Sequence, residues 1–298
     1  MRRPPRALLL LAGAWVGACA AGVLAQEPPA SAPLPEIRPF LKEVRRHLRS
    51  DEALLSQYTF TEKLTEHRLD SKGQITKTKA EVYQVYPSFE PGQTYRKLVV
   101  RDGVPVPASE QAEQDRKQTI EADKQVRKLA SEGTNARQKR EAERRRQEET
   151  VAAEVFEVYN ITIVDREMLD GRSTILLRFD PRPDADPSGK AGKLLKKFRG
   201  RAWIDEADHQ VARIECELID TLSFGFGIVA RLKPGAQVYF ERHKINDEIW
   251  LPALAHWRGS ARFFLVKGIS IDAKSEYSDY RKFSVESPDS YSTQKSTD

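Results

Sequence analysis

Five histidines, His47, His67, His209, His243 and His256, are the residues around which metal or acid–base chemistry in this chain would be built. None stands at a spacing that makes a metal site without long-range help. His243 and His256 fall in successive strand-like segments and could approach each other across a hairpin. With no third ligand in view, they are expected to be polar surface residues. Asp184, Asp186, Ser188 and Gly189 open like a calcium loop. The twelfth position counted from Asp184 is Leu195 instead of a bidentate Glu, so the stretch reads as a Pro/Asp/Gly turn. The sequence contains no G-x-S-x-G, P-loop or dinucleotide fingerprint. Asn160-Ile161-Thr162 matches a glycosylation pattern that is uninformative in a chain with a bacterial-looking export signal. The expectation is therefore no catalytic residue, no metal ligand and no cofactor.

The two cysteines carry different implications. Cys216 lies in QVARIECELI, where a two-residue period sets Ala212, Ile214, Cys216 and Leu218 on one strand face. No activating partner is apparent, so a buried structural thiol is expected there. Cys19 closes Val16-Gly17-Ala18-Cys19, which resembles a bacterial lipobox with Val in place of the usual Leu. It is the candidate lipidation site. Around it, Arg2, Arg3 and Arg6 precede the apolar run Ala7–Ala18 and the small-residue end Val23-Leu24-Ala25, the pattern of a secretory signal. Residues 1–25 are thus expected to be removed after Ala25, or cut before Cys19 if that residue is lipidated. The apolar run is too short for a span of roughly 20 residues, and no later segment offers a transmembrane helix. A periplasmic or secreted location follows, with outer-membrane anchoring in the lipidated case. Only Cys216 is certain to remain after processing, so no internal disulfide is available. The net charge of +5 loses three signal arginines and falls to +2, which gives no argument for nucleic-acid binding.

Residues 26–35 are a Pro/Ala/Ser linker. Glu36–Leu55 follows with apolar residues at three- and four-residue steps, including Phe40, Leu41 and Val44, opposite Lys42, Arg45, Arg46 and Arg49. This predicts an amphipathic helix whose apolar stripe packs on a sheet. Alternating strands are expected from Tyr58, with turns at Ser71-Lys72-Gly73 and Asp102-Gly103. Residues 108–153 interrupt them with a Glu/Lys/Arg/Gln/Ala-rich segment free of proline, predicted to be helical and solvated, as a pair of helices joined at Gly133-Thr134-Asn135 or as one bent helix. Strands resume at Val155, turn at Asp170-Gly171, and pass through a loop and a short helix-like or irregular stretch before Arg201.

From Arg199 to Phe283 short strands are expected to follow one another, broken at Glu206–Asp208, Lys233–Gly235, Asn246–Asp247, Gly259–Ser260 and Gly268. Residues 286–298 read as a flexible tail. Between Thr221 and Val229, Leu222, Phe224, Phe226 and Ile228 are large apolar groups in a glycine-punctuated run, readable as a cavity mouth or as a kinked core strand.

A flat sheet of this many antiparallel strands tends to curl or close, and a covering helix would enclose apolar space. The order of signal, amphipathic helix and hairpins, with the Gly200–Glu215 hairpin (G-x-x-W-I-D…V-A-R-I-E) and Trp250-Leu251-Pro252, resembles the LolA/LolB-like superfamily. That resemblance implies an incomplete, strongly curved antiparallel β-barrel covered by the N-terminal helix, as one domain over residues 36–285. It implies a non-enzymatic envelope protein binding a lipid or lipoprotein acyl chain. The expected hydrophobic contacts are Phe40, Leu41, Val44, Leu222, Phe224, Phe226 and Ile228. The 108–153 insertion departs from the compact carrier pattern, so the alternative is an envelope sensor or interaction module that binds a protein partner through it.

Overall fold

A computed structural model describes residues 33–47, 55, 57–86, 94–224, 230–263 and 267–282. Cys19, Phe226 and Ile228 lie outside these, as does the side chain of Phe224. The first helix, α1, covers Ile37–His47. Strands β1 (Tyr58–Leu69), β2 (Ile75–Tyr86), β3 (Tyr95–Arg101) and β4 (Val104–Pro105) follow, then helices α2 (Ala108–Ser131) and α3 (Thr134–Val158). Next come β5 (Tyr159–Leu169), β6 (Arg172–Pro181), the short α4 (Lys190–Leu195), β7 (Phe198–Asp205) and β8 (Val211–Leu218). The chain continues with β9 (Leu222–Phe224), β10 (Ala230–Leu232), β11 (Gln237–Ile245), β12 (Ile249–Phe263) and β13 (Lys267–Lys282).

The strands form one antiparallel sheet in the order β4-β3-β2-β1-β13-β12-β11-β8-β7-β6-β5, with β9 and β10 off this path. The first and last strands of the sequence pair with each other, Leu64 opposite Ser275, so the meander runs almost full circle. It does not close. The two ends of the sheet are β4 and β5, and the chain between them is α2 and α3 rather than a turn that would pair them. The result is an incomplete, curved antiparallel barrel with few helices.

The helical pair also guards one open edge. On β3, β4 covers only Val100 and Arg101. Farther along, the Gln114 side chain takes a strand's place: its Oε1 accepts from the Leu98 N–H at 2.9 Å and its Nε2 donates to the Leu98 carbonyl at 3.3 Å. Asp115 accepts from Tyr95 and Lys97, both at 2.8 Å. An unpaired edge is a template for aggregation, and an amide side chain satisfies it.

Three expectations are corrected. Residues 155–158 are the end of α3, not a strand. Ala152, Val155, Val158 and Tyr159 recur at three- and four-residue steps, the helical period. Gly259 and Ser260 are not a break: they pair with Ile271 and Ser270 inside the long β12–β13 ladder. Glycine there lets β12 lie close to Ala236, whose Cβ would be 2.7 Å from an added Cβ. Finally, Ala212 does not share a face with Ile214 and Cys216. The register steps from Trp203↔Arg213 to Ile204↔Val211, leaving Ala212 as the extra residue of a bulge.

Candidate functional site

The inner face of β5–β8 is read directly from the ladder. Ile161 opposes Phe179, Leu177 opposes Ala202, Ile204 opposes Val211 and Ala202 opposes Ile214. All are apolar. Onto this surface α1 docks the stripe expected of it: Phe40 and Val44 are buried against Ile175, Leu177 and Ile204, with Leu41 packed beside them. Burying side chains of this size contributes about 1.5–3 kcal/mol each. The ring of Phe40 also meets His209 at 5.4 Å, and His47 stacks on His209 at 6.1 Å.

Beyond this contact the helix does not fill the concavity. An apolar cavity of about 450 Å³ remains. Its floor is Ala202, Ile204, Val211, Ile214, Cys216 and Val238; Leu41 and Val44 form one wall. Val155, Phe156, Leu194, Leu195 and Phe198 form another, from the end of α3 and from α4. Small residues on the floor account for the space. Ala202 contributes one methyl group, and opposite Cys216 stands Gly200, where any side chain would collide with the β8 backbone.

The wall is held by specific bonds. Buried Glu154 accepts the Gly192 N–H at 2.7 Å, tying α4 to α3. A side chain at Gly189 would collide with the same carboxylate. Tyr159 donates to the Leu195 carbonyl at 2.6 Å. At the edge, the Arg45 guanidinium lies over the Phe156 ring, 5.9 Å from its centroid. The Cys216 thiol faces this dry space, and burial pushes its pKa from 9 up to about 11. It is therefore a poor nucleophile at neutral pH. The arrangement can hold an apolar molecule.

Of the contacts expected from the sequence, Leu41 and Val44 line the cavity and Phe40 anchors the helix beside it. Leu222 is half-buried on β9 and does not line it. The floor residues were not singled out as contacts; the alternation of each strand was legible, but not which strands pair. His243 and His256 do not meet, because His243 pairs across the ladder with Leu251 and His256 with Tyr239. His256 contacts Asp272 at 2.7 Å, while His243 contacts Glu241 at 2.9 Å and Asp170 at 3.2 Å. That last cluster joins residues far apart in the chain and carries no local signal.

No family model matches the chain. No curated protein matches it either. Solved structures do. A domain named for outer membrane lipoprotein sorting from Vibrio parahaemolyticus is similar at 8% identity and a TM-score of 0.32, over 85% of this chain and 95% of that one. A LolA superfamily protein from Nitrosomonas europaea is similar at 12% identity and a TM-score of 0.27, over 88% and 99%. MucB of Pseudomonas aeruginosa, solved with MucA, is similar at 10% identity and a TM-score of 0.21, over 83% and 99%. The superfamily that the sequence resembles is thus represented among these structures. At such scores the likeness transfers no residue, ligand or partner. No helix among the described residues is long and apolar enough to cross a membrane.

Proposed function

We propose that this chain is a non-enzymatic binding protein of the cell envelope that holds the acyl part of a lipid or lipoprotein beneath α1. The observation that carries this reading is the open cavity itself: about 450 Å³, lined by Leu41, Val44, Phe156, Leu194, Ile204 and their neighbours, with an almost wholly apolar lining. Small-molecule sites typically measure roughly 300–1,000 Å³ and are mostly apolar. Each methylene transferred into such a site contributes about 0.8 kcal/mol before ordering losses. In this reading residues 1–25 direct export, Cys19 is the lipidation site if the chain is anchored, and 26–35 tethers the β domain. The test is native mass spectrometry of the purified protein, followed by titration with a fluorescent fatty acid. Co-purifying lipid, or saturable one-to-one binding of the probe, is expected. A protein that is empty and indifferent to the probe would contradict the reading.

A second reading, a protein-interaction module, is supported by the helical pair. Its side-chain bonds to the sheet include those of Glu110, Gln114 and Asp115, near the start of α2. Farther out, Ile120 and Val126 are exposed on α2 among charges of both signs. Shortening the pair beyond Asp115 and before Ala152 would abolish capture of an envelope partner and leave probe binding intact. Identical pull-downs with and without the outer segment would exclude it.

A further inference from the structure

We propose that Asp170, Glu241 and His243 bind a divalent transition-metal ion on the side of the sheet away from the cavity, through one imidazole nitrogen and two carboxylate oxygens. The three residues come from two hairpins. Glu241 and His243 are two apart on β11 and project to the same side. Asp170 sits in the tight β5–β6 turn, with φ at 50° and Gly171 at 76°. Their ligand atoms all lie within 4.8 Å of one another. His243 Nε2 is 2.9 Å from Glu241 Oε1 and 3.2 Å from Asp170 Oδ2. Metal–ligand bonds of about 2.0–2.1 Å at tetrahedral angles set neighbouring ligand atoms roughly 3.3 Å apart, so the two His243 distances need an adjustment of a few tenths of an ångström, while Asp170 and Glu241 start within 4.8 Å of each other.

The surroundings of Glu241 favour a ligand role for its Oε1. Arg213 donates to Oε2 from Nε at 2.9 Å and approaches it from Nη2 at 2.8 Å, and the Tyr239 hydroxyl also donates to Oε2. Oε1 is thereby turned toward His243. Outer partners that fix a carboxylate in this way are a regular part of metal sites.

One observation weighs against a cation. Asp170 and His243 border a pocket of about 430 Å³ that Arg172, Arg242 and Lys244 also line. Much of that charge is matched: Arg172 pairs with Asp205 at 2.6 Å and with Asp208 at 3.1 Å, and Lys244 with Asp208 at 2.8 Å. One nitrogen and two oxygens suit zinc and its first-row neighbours, whereas calcium takes six to eight oxygens. Three protein ligands leave a fourth position for water or an anion from the pocket.

The competing arrangement is a histidinium held between two carboxylates, and the experiment separates the two. Zinc sulfate is titrated calorimetrically into the full chain at neutral pH. The variants His243→Ala and Asp170→Asn are measured beside it, with His256→Ala as a control. Glu241 is left in place because its loss would also release Arg213 and Tyr239. One zinc per chain is expected, abolished in H243A, weakened about 10–100-fold in D170N and unchanged in H256A. Cobalt substitution should give the visible absorption of a four-coordinate site in the unaltered chain and not in H243A. No saturable binding, binding that survives H243A, or binding of unchanged affinity in D170N overturns the proposal.

Discussion

The inner face of the sheet is one continuous surface with two opposite characters. Followed across the ladder, the cavity residue Val238 pairs with Trp257 and Trp257 with Ala273; two residues along, Ser275 pairs with Leu64, and beside it Tyr277 with Glu62. On the β5–β8 side this face is apolar and leaves a void. On the β1–β3 side the same face is filled. Buried Glu62 accepts from Arg96 Nε at 2.8 Å and from the Ser275 hydroxyl at 3.0 Å. The Arg96 guanidinium lies 4.1 Å over the Tyr83 ring, and the Tyr83 hydroxyl donates to Glu81 at 2.5 Å. Burial and that bond push the Tyr83 pKa up to about 12. Phe60 packs against Tyr277 and Tyr280, with centroids 6.0 and 5.3 Å away. The difference lies in side-chain size. Large aromatic and ionic groups meet across β1–β3 and lock it, whereas Gly200, Ala202 and Cys216 cannot span the gap over β7–β8. Tight packing and open apolar space thus fall to different parts of one face.

The largest expected effect joins the two functions. Phe40→Ala should destabilise the protein by about 3–5 kcal/mol in chemical denaturation, because it empties the contact that docks α1. Binding of a fluorescent fatty acid should fall with it. A change below 1 kcal/mol would mean α1 is not anchored there. Next, Ala202→Phe should weaken the probe at least tenfold by filling the floor. Since the added ring enters existing space, stability should not fall by the roughly 1–3 kcal/mol of an overpacked core. Unchanged probe affinity would place the ligand elsewhere. A smaller effect is expected on the filled side: Glu62→Gln weakens charge-assisted bonds and should cost about 1–2 kcal/mol. Probe affinity should stay within twofold. If it drops as in the Ala202 variant, the two sides are not independent.

Much of the fold was legible locally. The alternation of Tyr58–Leu69 and the turns Asp102-Gly103 and Asp170-Gly171 are realised where expected, and each of these turns has both residues at positive φ. The helical stripe of Phe40, Leu41 and Val44 was legible because a helix face is written in one stretch. The cavity floor was not, since it takes one or two residues from each of several strands, and a bulge at Ala212 decides which of them face inward. The meeting of Asp170 with His243 was likewise hidden, for it depends on how two distant hairpins are brought together.

The most direct measurement is alkylation of Cys216, followed by mass mapping, with and without a saturating fatty acid. Half-buried in the cavity floor with a pKa raised from 9 to about 11, the thiol should react slowly at neutral pH. Its rate should rise about tenfold per pH unit beyond 9 and level off only near 11, because the thiolate is the reacting form. Occupancy of the cavity predicts strong protection by the fatty acid at every pH. A rate unchanged by a fatty acid that demonstrably binds would contradict the assignment of this cavity as the ligand site.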